Sequence, residues 1–225
     1  MIKTRAGALW VAAVVLAVGT GCAAVDDHPK QSSPSTTTIA VPPPKVRFAY
    51  QWAQMTVDPS TPEATFTRAI MESSDLMKTT GKSSAAYPGF WDAVGKLFFQ
   101  RDSEPHLPEA GQSIRMGIAR LEKVQPTLSR AWVCDWGTAS NWEQRTPIMW
   151  VLDFQTDGTP APPAQQSGPE KRPAANIFGG WKLTYYNMLN DSPELDPALA
   201  DECRNYPVPS AADPATPSPG WPTSK

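Results

Sequence analysis

Apolar residues recur along this chain with two different periods, and the period changes near the middle. Phe66, Ala69, Ile70, Ser73 and Met77 fall at offsets of 3, 4, 7 and 11 residues, which places them on one face of a helix. Ser60 and Glu63 stand at capping-box spacing ahead of that stripe, Pro62 suits a first helical turn and Gly81 a stop. The spacing predicts a helix over 61–79. Phe90, Val94, Leu97, Phe98 and Arg101, with Trp91 beside them, form a second stripe after Pro88 and predict a second helix.

Beyond residue 113 the period shortens to two. Ile114, Met116 and Ile118 alternate, as do Trp132, Cys134 and Trp136 with Leu128 upstream on the same register. Ile148, Trp150, Leu152 and Phe154 follow, and then Trp181, Leu183, Tyr185 and Leu189. Alternation in four successive segments predicts a mostly antiparallel sheet with one face buried. Thr138 to Pro147 reads as a hairpin loop. The polar, proline-rich segment 156–176 reads as a long mobile excursion between two paired strands, with Gly158 and Gly179 at its ends. Helices followed by a strand meander define an α+β domain, its N-terminal helices packed on a curved, mostly antiparallel sheet of about four strands.

The two ends of the chain are patterned differently. Lys3 and Arg5 precede an uncharged apolar run from Ala6 to Val18, too short to span a membrane, and the small residues Gly19, Thr20 and Gly21 lead into Cys22. That arrangement is an export signal. It resembles a bacterial lipoprotein signal, in which small residues before a cysteine direct lipidation of its sulfur; Gly19 stands where such signals usually carry Leu. The resemblance implies removal of 1–21 and a lipid tether on Cys22; an ordinary secretory signal would instead leave Cys22 a free thiol. Segments 22–44 and 206–225 are rich in Ser, Thr and Pro without periodic apolar positions, and read as a disordered stalk and tail. They bracket one domain over 45–205.

Composition narrows the partners. The chain has 20 basic and 22 acidic residues; loss of Lys3 and Arg5 with the signal leaves 18 against 22. A mildly acidic domain lacks the basic footprint of a nucleic-acid binder. With Cys22 lipidated, Cys134 and Cys203 remain, and an exported chain is expected to pair them. His28 and His106 are the two histidines and neither has close Cys/His spacing, so no metal or cofactor is expected.

Helix, helix and then a curved sheet resembles the cystatin-like or NTF2-like fold found in small exported actinobacterial lipoproteins. The stretches VGTGC, WVCDWG, MWVLDF and GGWKLTYY and the late Cys203 carry the likeness. It implies a fold and an address and no activity.

Candidate chemistry centres on tryptophan. Trp132, Trp136, Trp150 and Trp181 share the register of the apolar face, with Asp135, Asp153, Lys182 and Thr184 opposite, and Trp142 falls in the hairpin loop. The four either fill the space beneath the helices or, with Leu183 and Tyr185, line a pocket for an apolar ligand, with Tyr185 or Tyr186 placing a hydroxyl at its mouth. Asp153, Asp135 and His106 are the candidate bases, but alternation sends Asp153 to the polar face and His106 lies in a proline-flanked loop. No nucleophile elbow, phosphate loop or zinc-protease motif occurs. The expectation is a non-enzymatic binding or assembly module without catalytic residues, on the outer face of the cytoplasmic membrane. It meets the membrane through Cys22 and an envelope protein or apolar small molecule through its domain; an isomerase or dehydratase of the same fold is the alternative.

Overall fold

The computed structural model describes residues 48–106, 113–138, 146–189, 195–207 and 216–223. The signal segment, Cys22, the stalk and Trp142 lie outside the described residues. Helix α1, Pro62–Thr80, forms where the 3.6-residue stripe predicts it. Thr61, not Ser60, is the N-cap, accepting from the Ala64 N–H at 3.1 Å, and Gly81 ends the helix in the left-handed region at φ 67. A Cβ on Gly81 would lie 2.2 Å from the Ser103 carbonyl oxygen, so both backbone angle and space require glycine there.

The second predicted helix is cut short. Helix α2 is Phe90–Val94, and Gly95 at φ 54 turns its N–H back to the Trp91 carbonyl. The predicted stripe therefore divides: Phe90 and Val94 are buried and Phe98 packs against the core, while Leu97 is 44% exposed.

Five strands form one sheet in the order β1-β2-β3-β4-β5: β1 Ala49–Ala53, β2 Ser113–Gln125, β3 Leu128–Thr138, β4 Ile148–Gln155 and β5 Lys182–Met188. The last four are the predicted meander, each antiparallel to its neighbour. Strand β1, absent from the four-strand expectation, pairs parallel with β2, and the chain between them carries α1 and α2 as the crossover. Helix α3, Pro197–Asn205, follows β5 with Asp196 as its N-cap.

Both faces of this sheet are covered, not one. Helices α1 and α2 cover one face over Phe66, Ile70, Met116, Val133, Leu152 and Phe154; α3 covers the other over Trp132, Cys134, Trp136, Met149 and Val151. The cause is the β3–β4 register, which sets Trp132 opposite Val151 and Trp150 opposite Val133. Residues directly opposite share a face, so the tryptophans of β3 and β4 point opposite ways. A register irregularity at Asp153/Phe154 then sets Leu183 beside Phe154 and Tyr185 beside Asp153, which splits that predicted pair as well.

Two segments expected to stay loose are packed. In the 156–176 connection Pro162 and Pro173 are buried and the Gln165 N–H donates to the Ser60 carbonyl at 2.8 Å. Of the tail, residues 216–223 return to the domain: the Trp52 N–H donates to Ser218 O at 2.6 Å, the Ser218 N–H to Tyr50 O at 3.0 Å, and Trp221 exchanges two backbone bonds with Glu170. Trp221 is 1% exposed. One buried tryptophan hides on the order of 150–250 Å², and the surrounding prolines have little freedom to lose. A composition that reads as disordered is thereby offset by a single anchor.

Candidate functional site

Helix α1 is enclosed on nearly every side, with the sheet beneath it and the long connection and tail above. Polar residues on its buried surface must then find partners inside the protein. Arg68, Glu72, Asp75 and Thr79 recur at helical spacing, one polar stripe turned inward.

Glu72 is the saturated end of that stripe. It accepts from Trp52 Nε1 at 2.7 Å, from Trp221 Nε1 at 2.8 Å and from the Tyr87 hydroxyl, and Arg68 Nε lies 3.8 Å away. The Arg68 guanidinium donates to the carbonyls of Gln166 at 3.0 Å and Pro219 at 2.7 Å and lies 4.5 Å from the Trp221 ring centre. Burial pushes the Glu72 carboxyl up, and Arg68 and the three donors oppose it. These contacts tie the connection and tail to the helix and give both oxygens of that carboxylate a donor: it is a structural clasp.

One turn further, the site opens. Asp75, half-buried, accepts from the Tyr50 hydroxyl at 2.8 Å. Loss of water raises its carboxyl to about 7, the Tyr50 bond opposes this, and the nearby negative charge of Asp135 adds to it. Asp135, also half-buried, accepts from the Gly137 N–H at 2.9 Å and Trp150 Nε1 at 3.3 Å, and burial raises it too. The Lys78 ammonium sits 4.4 Å from the Trp150 ring centre, where desolvation lowers its pKa against the pull of both carboxylates. Tyr186 stacks on Trp150 at 5.0 Å and its hydroxyl lies 3.1 Å from Ser74 Oγ. A carboxyl that exchanges its proton near neutral pH, a second carboxylate and two phenols thus converge where solvent reaches.

The residues singled out in the sequence are dispersed. Trp132, Trp136 and Tyr185 belong to the α3 side, whereas Trp150, Trp181 and Leu183 belong to the α1 side, so the six do not line one pocket. Trp181 is packed between Phe66 and Phe154 at 5.9 and 5.8 Å, and Trp136 Nε1 donates to Cys203 O at 3.0 Å. A Cβ on Gly117 would lie 2.8 Å from Met55 Sδ and 3.1 Å from the Trp136 ring, so glycine leaves room for both side chains. Cys134 and Cys203 are joined as expected, with an S–S distance of 1.95 Å and Cα atoms 5.6 Å apart, and α3 delivers Cys203. Asp153 lies away from α1, paired with Arg130 at 2.6 and 2.7 Å. His106 is exposed and its N–H donates to Thr79 O at 2.9 Å.

Asp135 is the correction that matters. It and Asp153 were expected on one polar face; because β3 and β4 present opposite parities, Asp135 turns toward α1 and Asp153 away. Asp75 was missed altogether. Its signal was the polar stripe of α1, a pattern that on most helices marks the solvent side.

Among the described residues no group of three or more His, Cys, Asp or Glu has the geometry to hold a metal ion, and no helix is long and apolar enough to cross a membrane. No protein-family model, curated protein or solved structure matches the chain.

Proposed function

We propose that this chain is an exported protein held by lipid on Cys22 at the outer face of the cytoplasmic membrane, whose cystatin-like or NTF2-like domain is a non-enzymatic binding or assembly module of the cell envelope. Cysteine pairing is the observation that carries the reading. Cys134 and Cys203 satisfy each other, which leaves Cys22 the odd one of the three, at the end of an apolar run and after three small residues. A buried disulfide suits an oxidising compartment, and two or three acyl chains anchor stably where one is marginal. Mass spectrometry of the membrane fraction tests it. The expected species begins at an acylated Cys22, and Cys22→Ser moves to the soluble fraction; an unmodified Cys22, or a Cys22→Ser chain that stays with membranes, overturns the reading.

A second reading, an acid–base enzyme of the isomerase or dehydratase type, is favoured by Asp75. A carboxyl near pKa 7 beside a phenol, with a second carboxylate nearby, has the composition of a proton-transfer site. Deuterium incorporation from D₂O into 3-cyclohexenone, lost in Asp75→Asn, supports it. Exchange no faster than buffer rejects it.

A further inference from the structure

Away from the carboxylates, five chain segments meet around a cleft of ≈ 550 Å³: the end of β1, the turn before α1, the long connection, the residue after α3 and the returning tail. That volume falls in the range of small-ligand sites. Among the described residues its lining carries no ionisable acid or base other than the Tyr206 phenol. Polar character comes instead from the amides of Gln54, Gln165 and Gln166 and the hydroxyls of Ser60, Ser167 and Ser218. Tyr206 supplies most of the aromatic surface, since Trp52 is only 7% exposed.

The walls are held from behind. Trp52 is fixed through its indole N–H to Glu72, and the Tyr206 hydroxyl donates to Gln54 O at 2.8 Å while its ring packs on Trp136 at 5.7 Å. Arg68 grips the carbonyls of Gln166 and Pro219 beneath the floor. Gln165 has φ 55, the left-handed conformation that costs a non-glycine residue on the order of 1 kcal/mol. Its N–H is bonded to Ser60 O at 2.8 Å and its side chain is left exposed at the rim. A strained residue held in place at a preorganised rim is characteristic of a binding site.

We propose that this cleft binds a neutral oligosaccharide. An ionic ligand would find no counter-charge among the described lining residues, and a purely apolar one would strip water from amides and hydroxyls without replacing their hydrogen bonds. A sugar ring matches both kinds of wall. Its adjacent hydroxyls each donate and accept, as a primary amide does across its N–H and C=O, and its C–H face packs on an aromatic ring. The inference deepens the binding reading by naming a ligand class, but it does not depend on the lipid tether.

Titration calorimetry of the purified full-length chain in detergent tests it, with maltohexaose, cellohexaose and chitohexaose as probes and a ten-residue polyproline peptide as the competing ligand. At least one hexasaccharide is expected to bind with a Kd of about 1 mM or tighter. The double variant Gln54→Ala, Gln165→Ala alters only exposed side chains, and its binding is expected to weaken at least about tenfold with an unchanged melting temperature. Failure of all three sugars at about 10 mM, tighter binding of polyproline, or sugar binding indifferent to the double variant each overturns the proposal. None of these outcomes bears on Cys22, whose test is membrane partition.

Discussion

The two faces of the sheet are built on different principles. Beneath α1 the core contains Arg68 and Glu72 fully inside and Asp75 and Asp135 at its open end, and it is closed by a tail segment distant in sequence. Beneath α3 the core is aromatic and aliphatic around one disulfide. The nine-residue α3 is too short to be stable alone, so a covalent bond holds it, whereas the 19-residue α1 tolerates charge within its packing because each charged group has partners. The α1 face therefore depends on completing a network and the α3 face on the redox state.

Deleting residues 216–225 is the most severe way to break the α1 side. It removes Trp221, the Pro219 and Gly220 carbonyls that accept from Arg68 and one of the three donors to Glu72, so a loss of at least about 3–5 kcal/mol is expected, a large fraction of a domain's stability. Urea denaturation followed by tryptophan fluorescence measures it; a change below about 1 kcal/mol would mean the tail is not a structural element.

On the α3 side, Cys203→Ser opens a bridge across 69 residues, for which chain entropy predicts a cost of about 4 kcal/mol. Dithiothreitol should lower the melting temperature of the wild-type chain and leave that of the variant unmoved. Equal responses would place the stabilising bond elsewhere.

Titration distinguishes the faces more gently. The Asp75 carboxyl, raised to about 7, favours its protonated form in the folded protein, so its contribution is full below about pH 4, the unfolded value, and is lost as pH rises through 7. Asp135 and Glu72, raised by the same burial, slope the same way, while the Tyr50 hydrogen bond and the Lys78 charge hold back the rise at Asp75 itself. Asp75→Asn should flatten the fall in stability between pH 4 and 8 by roughly 1–2 kcal/mol once solvent screening is discounted. A variant as pH-sensitive as wild type would show that Asp75 titrates normally.

Least should come from Arg130→Ala. Its bond to Asp153 is short and bidentate and Asp153 is buried, at 8% exposed, but the arginine side chain is 36% exposed and its removal lets water reach the carboxylate, so about 1 kcal/mol is expected. A loss of several kcal/mol would mean that Asp153 stays dry and unpaired.

Periodicity located α1 and the four-strand meander, because those segments bury one consistent set of side chains and short-range geometry fixes their period. The cysteine count, with Cys22 set apart, likewise anticipated the Cys134–Cys203 bond. Which face each strand presents was decided only in three dimensions: a period of two says that Trp132 and Asp135 oppose each other, while inter-strand register chooses which meets α1. The same holds for β1, for Trp221 and for Asp75. Their places depend on contacts between residues far apart in the chain, such as Glu72 with Trp221 and Trp52 with Ser218, and no local pattern encodes a partner 149 or 166 positions away.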